Sequence, residues 1–254
     1  ANAVREALAA KQTATAETAL AALRAVWGEG LDAERGAKAG GEHVGGVLLR
    51  LCAQVESLET QLKWLKERVQ LEWESGDKYE GGWEDEEPHG HGIYTFADGN
   101  TYEGTFVRGK QHGNGTYKWA AGMCYAGQWD DDRMHGRGKY TFADGNVYVG
   151  AYEGGVRQGE GSYFYKDGGL FKGQWASGKK HGYGIYTGAD GKLVYKGEWD
   201  SNKEHGQGER VSPDGFVYVG QFVSGKRHGQ GKYLNAEGTV VFNGEWADNA
   251  PKQR

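Results

Sequence analysis

Cysteine and proline are nearly missing from this 254-residue chain, which holds two of the first, Cys52 and Cys124, and three of the second. Two thiols, one in each part of the chain, exclude a disulfide framework and are too few for a thiolate metal cluster, a usage typical of reduced intracellular proteins. So few prolines argue against a flexible Pro-rich linker. No run of about 18 apolar residues occurs, so no segment reads as a membrane-spanning helix. An excess of one charge sign is missing too. The chain carries 30 Lys+Arg against 35 Asp+Glu, and the first 74 residues hold 9 and 11 of these. Neither part has the positive field that binding by phosphate neutralisation requires, which excludes nucleic acid as a partner.

What the chain has instead is glycine, 45 residues of it, and 13% aromatics. Composition divides near Glu74. Residues 1–74 are rich in Ala and Leu, whereas all 15 tyrosines fall in 75–254. Within the first part, Leu48, Leu51, Val55, Leu58, Leu62, Leu65 and Val69 follow steps of 3 and 4. That spacing predicts a heptad helix over 47–74 whose seam meets a second copy, another protein or the earlier helical segment at 2–26. The 2–26 segment is alanine-rich with a thin apolar face, and a Gly-rich loop, 28–46, joins the two.

From Tyr79 onwards the chain repeats itself. An aromatic, any residue, a glycine, any residue and a second aromatic begin at Tyr79, Tyr102, Tyr125, Tyr148, Phe171, Tyr195, Tyr218 and Phe242, at intervals of 23 or 24 residues. A fixed period in the twenties marks a repeat array in which no unit buries its apolar face alone. About ten residues after each of the first seven openings comes His-Gly-x-Gly, as at His89–Gly92 and His112–Gly115, with Gln158 replacing His once. A Tyr two residues on (Arg210 in one unit) and an Asp-Gly-type turn such as Asp98-Gly99 close the unit. Strand side chains alternate, so Tyr79, Gly81 and Trp83 share a face, and the glycine leaves a slot in which a ring can lie against backbone. The same logic extends to Gly90, Gly92 and Tyr94. One unit is then a hairpin, and the units together form an antiparallel meander with an aromatic core.

The recurring YxGxW, HGxG and DG positions closely resemble the membrane occupation and recognition nexus (MORN) repeat over residues 77 to about 250, as seven full units and a half unit at Phe242–Trp246. The resemblance implies a mainly β, elongated, curved, single-layer hairpin array following an α-helical segment. It also implies an assembly and docking role in cytoskeletal, ciliary and membrane-associated proteins. The expected location is intracellular: cytoplasmic, cytoskeletal, ciliary or membrane-associated. Because the sequence opens at Ala1 and not Met, an organelle reached after leader removal stays open.

No catalytic constellation stands out from the repeat, and no GxGxxG opens a helix after a strand, so neither enzyme chemistry nor a cofactor is expected. Histidines one repeat apart are too distant to share a metal, so no metal is expected either; His89 and His91 beside Glu86 and Glu87 offer at most an adventitious zinc site. Candidate partner-binding residues are the ring positions Tyr79, Trp83, Tyr102, Tyr125, Trp129, Trp175 and Trp199, on a face suited to an extended peptide or amphipathic helix. The basic turn tips Lys179, Lys180, Lys226 and Arg227 are the others, for a partner's charges or for anionic lipid. The expected function is a non-enzymatic scaffold that docks protein partners through the array and assembles as a homo- or hetero-oligomer through the 47–74 helix. Alternatives are a tether for anionic phospholipid, or an accessory subunit of an organellar enzyme or of a photosynthetic or respiratory complex.

Overall fold

The computed structural model describes residues 68–252 together with Ala14, Glu17, Thr18, Ala21, Glu56 and Glu59. Those six carry helical backbone. The heptad positions Leu48, Leu51, Val55, Leu58, Leu62 and Leu65, and the Gly-rich loop, lie outside the described residues.

The described strands are β1 (Val69–Glu72), β2 (Lys78–Glu84), β3 (Glu87–Thr95), β4 (Thr101–Val107), β5 (Lys110–Lys118), β6 (Cys124–Asp130), β7 (Arg133–Thr141), β8 (Val147–Glu153) and β9 (Val156–Phe164). They continue as β10 (Leu170–Ala176), β11 (Lys179–Thr187), β12 (Leu193–Asp200), β13 (Lys203–Val211), β14 (Val217–Val223), β15 (Lys226–Leu234), β16 (Val240–Ala247) and β17 (Ala250–Pro251). Each strand pairs antiparallel with the next in chain order, making one open 17-stranded meander. At the usual strand spacing such a sheet runs about 75 Å across its strands.

Val69 departs from the heptad reading. It is the first residue of β1 and faces Gly81 of β2, with Leu71 opposite Tyr79. Val69 and Leu71 alternate inward and pack against the aromatic core, and Arg68 pairs with Glu80 at 2.8 Å. An uncovered β2 edge is a stronger demand on these side chains than a last half-turn of helix, because an open edge leaves a row of unpaired backbone groups. The array therefore begins at residue 69, ahead of the compositional break.

The two turn edges differ. Around Asp98-Gly99 the loop has three residues: Gly99 donates to the Phe96 carbonyl, Phe96 donates to the Asn100 carbonyl, both at 2.9 Å, and Gly99 takes φ of 86°. This is the hairpin with a bulge glycine. At the other edge the links are two-residue turns with both φ positive, as at Arg108-Gly109 (51° and 72°) and Asp131-Asp132 (45° and 63°). Their tips bond back onto the preceding unit: Gly109 donates to the Pro88 carbonyl at 2.9 Å and Asp132 to that of Gln111 at 3.1 Å.

Among the described residues fourteen hydrophobic side chains are buried, and every one is a ring of the YxGxW opening. Tyr102, Tyr125, Tyr148, Phe171 and Tyr195 are fully covered at 0% exposure. The glycines explain how a one-layer sheet covers them. A Cβ on Gly115 would sit 2.5 Å from ring carbons of Tyr102, and one on Gly104 would sit 2.5 Å from the Cα of Gly115. The Tyr102 ring thus lies flat on the glycines of its own strand and the next. Its hydroxyl donates to the Thr105 carbonyl at 3.0 Å, and the same i to i+3 bond recurs at Tyr79, Tyr125, Tyr148, Tyr195 and Tyr218. Those carbonyls fall where the ladder skips: Gly104 faces Gly115 but Thr105 faces His112, so β5 carries two extra residues there. The ring hydroxyl satisfies a group that the bulge disturbs.

Gly90 does not share the role of Gly92. It takes φ of 68° and has nothing within 4 Å of an added Cβ, as expected for the bulge itself, while Gly92 lies under the Tyr79 ring. In His-Gly-x-Gly the first glycine serves conformation and the second serves packing.

Candidate functional site

The buried rings form the lower tier of one sheet face. From the second unit to the seventh, each opening aromatic meets the ring four residues on and the corresponding ring of the next unit edge to face. Tyr102 lies 5.0 Å from Phe106 and 5.4 Å from Trp129, and Phe171 lies 5.6 Å from Trp175 and 5.1 Å from Trp199. Such pairs contribute about 0.5–1.5 kcal/mol each beyond area burial. Trp129 and Trp199 donate Nε1–H to the Gly115 and Gly184 carbonyls of the preceding unit at 3.1 and 3.2 Å. Burial pushes the Tyr79, Tyr125 and Tyr148 hydroxyls up to about 12.

This places most of the expected binding aromatics in the core. Tyr79, Tyr102, Tyr125, Trp129, Trp175 and Trp199 are all buried, so they form the floor of the face and cannot touch a partner; Trp83 alone of that set is half-buried. Other rings that remain open on this face stand outside the set expected to bind. They form a ladder of ten: Trp73, Tyr94, Phe96, Tyr117, Trp119, Tyr140, Phe142, Tyr163, Tyr165 and Tyr186, with successive centroids 4.5–5.7 Å apart. Except for the exposed Trp73, each is half-buried. The signal was available in the chain: Phe96, Trp119, Phe142 and Tyr165 each stand two residues after the repeat tyrosine, the spacing that keeps a strand residue on the same face.

Charge along this face is set by the residue before each repeat histidine. Pro88, Gln111 and Met134 occupy it in the first three units, and Arg157, Lys180, Glu204 and Arg227 in the next four. The Arg157 guanidinium lies 4.4 Å from the Trp175 ring centroid and donates to the Gly178 carbonyl at 2.6 Å. Lys180 lies 4.8 Å from both Phe171 and Trp199 and donates to the Tyr165 hydroxyl; burial, then the Arg157 charge, lowers its ammonium to about 8. Arg210, which replaces the repeat tyrosine, lies 4.8 Å from Phe222 and pairs with Glu204. Arg227 lies 4.4 Å from Trp246.

Lys180 and Arg227 are therefore not solvated tips. Both turn inward over rings, and only their neighbours stay at the edge: Lys179 is exposed, and Lys226 pairs with Asp248 at 3.1 Å. The face as a whole is an aromatic ladder, neutral beside the early units and cationic beside the later ones. Cations held over indole and phenyl faces gain about 0.5–2 kcal/mol each, which holds their positions without neutralising them.

The repeat histidines do not converge on one another; His89 pairs within its unit with Glu84 at 3.3 Å, and Cys124 is a free, half-buried thiol. No helix among the described residues is long and apolar enough to cross a membrane.

Comparison with known proteins bears on this array directly. The MORN repeat family profile matches residues 79–101, 102–124, 125–147, 148–170, 171–192, 195–217 and 218–240. No curated protein matches the chain in sequence. Solved structures that align with it include the TCP domain of SAS-4 (dCPAP) in complex with a proline-rich motif of Ana2 (dSTIL) of Drosophila melanogaster. That alignment has 12% identity over 68% of this chain and 86% of that one, with a TM-score of 0.37. A streptogramin B lyase aligns at 13% identity over 72% and 55% of the two chains, with a TM-score of 0.16. Likeness this slight carries nothing about what the present chain binds.

Proposed function

The chain belongs to the MORN repeat family, whose arrays are in general scaffolds for protein or membrane interaction, and from that premise we propose that it is a non-enzymatic scaffold docking a protein segment along its aromatic face. The observation that carries this reading is the ladder of ten open rings running from Trp73 to Tyr186. A folded chain seldom leaves so long a continuous apolar row in water without a use for it. An amphipathic helix or extended peptide laid across several units would set apolar anchors on Phe96, Trp119 and Phe142 and place carboxylates near Arg157, Lys180 and Arg227. The seam from Leu48 to Leu65 is assigned to assembly, joining the array to a second copy or another subunit, in the manner of cytoskeletal or ciliary complexes.

The anionic-lipid alternative draws less support. Of the four basic residues proposed for it, two cover rings and one is paired with an aspartate, which leaves Lys179 alone as a tip cation with no partner given it by the geometry above.

Site-specific photo-crosslinking tests the reading. A benzoyl-phenylalanine at Phe142 of the full chain should capture a defined partner, and one at Val149, on the opposite face, should not. Trp119→Ser with Phe142→Ser should abolish capture while the circular dichroism stays that of the parent. Equal capture from Val149, or capture indifferent to the double substitution, refutes docking on this face. Flotation with anionic vesicles in place of protein capture would support the tether.

A further inference from the structure

A second kind of site lies at the turn edge, where two successive units bring together residues that are distant in sequence. His112 of β5, Asp130 at the end of β6 and Asp131 in the tip after it offer three ligand atoms all within 4.8 Å of one another. His112 Nδ1 is buried yet has no hydrogen-bond partner. It lies 3.5 Å from an Asp130 carboxylate oxygen. Two ligands bonded to one tetrahedral Zn²⁺ at about 2.0–2.1 Å stand about 3.4 Å apart. The pair is already spaced as one edge of a zinc coordination tetrahedron, and too far apart for a good hydrogen bond. We propose that His112, Asp130 and Asp131 form a surface site for a divalent transition-metal ion of the Zn²⁺ class, with water completing the shell. The borderline nitrogen and carboxylate donors suit Zn²⁺ over Ca²⁺ or Mg²⁺, which favour all-oxygen shells.

The chain carries its own comparison. Three units further on, His181 Nδ1 lies 3.3 Å from Asp200, in the same structural positions, but Ser201 stands where Asp131 stands here. Five other units lack one acid or both, with Val107-Arg108, Glu153-Gly154, Ala176-Ser177, Val223-Ser224 and Ala247-Asp248 at the two positions, and the first unit, which has Glu84-Asp85, has no repeat histidine from a preceding unit. Among the described residues only the second-to-third unit junction supplies all three donors. Asp131 now holds the Lys110 ammonium at 2.9 Å, so binding exchanges that cation for the metal. Lys110 is about half exposed and loses little on release.

Repetition also supplies harmless variants for the test. Serine occupies the Asp131 position as Ser177, Ser201 and Ser224, each with φ near 50°, and Gln158 occupies the His112 position. Asp131→Ser and His112→Gln should therefore leave the fold intact. Calorimetric titration of the full chain with ZnCl₂ in chelator-free buffer should show one equivalent bound, and Co²⁺ should give the visible absorption of a tetrahedral site. Each variant should weaken Zn²⁺ binding by more than about tenfold, as loss of a ligand exceeds loss of a supporting contact. His181→Gln should leave that binding unchanged. Absence of stoichiometric binding, or binding indifferent to both Asp131→Ser and His112→Gln, overturns the proposal. Equal loss in His181→Gln overturns it too, since it would show scattered adventitious sites.

Discussion

Replacing Gly115 by alanine should destabilise the array through one identifiable clash, and a double-mutant cycle can isolate it. The added Cβ would stand 2.5 Å from the Tyr102 ring carbons, about 1 Å inside an ordinary carbon contact. The ring has nowhere to go. Phe106 and Trp129 abut it at 5.0 and 5.4 Å, its exposure is 0%, and its hydroxyl is fixed on the Thr105 carbonyl. Overpacking of this kind costs about 3 kcal/mol at the upper end, from which a gain of about 0.5–1 kcal/mol for removing a strand glycine is subtracted. The net loss is about 2 kcal/mol, or about 4–8 °C in Tm for a chain of this size. Tyr102→Ala alone should cost about 3–5 kcal/mol. Together the two changes should cost about 2 kcal/mol less than their sum, because the alanine methyl enters space the ring has left. Gly122→Ala is the control. Nothing lies within 4 Å of its added Cβ, and φ of 90° makes it costly by strain alone, so its effect should add to that of Tyr102→Ala within about 0.5 kcal/mol. Chemical denaturation of the six proteins, the parent, three single and two double variants, with hydrogen exchange read over β4 to β6, measures both cycles. Additivity of Gly115→Ala with Tyr102→Ala would refute the account of glycine as a slot for the ring.

The pH dependence should have two limbs of opposite sign. Lys180 is held at about 8 when folded against 10.5 when free, so the folded state gives up this proton first and stability rises between pH 8 and 10.5. Lys180→Met should abolish that rise and raise stability at pH 7 by about 1–2 kcal/mol, roughly half the full conversion because the amine is partly open to water. Above pH 10 the buried tyrosines act in the other direction: Tyr79, Tyr125 and Tyr148 ionise near 12 when folded and near 10 when unfolded, so stability falls. Phenolate absorbance should appear together with loss of the β circular dichroism signal; phenolate formed near pH 10 in the folded array would contradict the burial. At the tips, Ser224→Gly relieves a φ of 50° and reproduces the Gly154-Gly155 turn of another unit, so it should raise stability by about 1 kcal/mol in denaturant melts.

Most of the fold was legible because one pattern specifies it three ways. The aromatic spacing named every buried hydrophobic side chain among the described residues, and the Asp-Gly signals located one turn edge. The identity of the open face was harder to read. A repeat ring looks the same in sequence whether it is covered or open, and coverage depends on the glycines of its own strand and the following one. Tyr102 is covered because Gly104 and Gly115 admit it; Tyr117 has no such slot and stays half open. Basic residues misled for a related reason. Lys179 and Lys180 are adjacent, yet strand alternation sends the second onto the ring face. Val69 fitted a heptad because steps of 3 and 4 say nothing of a neighbouring strand edge, and tertiary demand decided it. The metal-ligand trio escaped because it joins unlike positions of two units, visible only once β5 and β6 are paired.

The same geometry explains why the array has to be closed at the start. Each unit's core ring packs on a ring of the unit that follows, as Tyr102 does on Trp129 and Tyr125 does on Tyr152, so a unit is incomplete without its successor. The open ladder works in the other direction, with each pair of rings continued by the pair before it. Unit one has no predecessor. Its Tyr94 is instead stacked by Trp73 at 5.7 Å, and its free strand edge is taken by β1, whose Val69 and Leu71 extend the core. Residues 69–73 thus do for the first hairpin what a preceding repeat does for the rest, as capping segments do in other solenoids. A cut at the compositional break after residue 74 would strip that cover, exposing both a strand edge and the end of the aromatic ladder, and the resulting aggregation would be a consequence of the cut rather than of losing any helix.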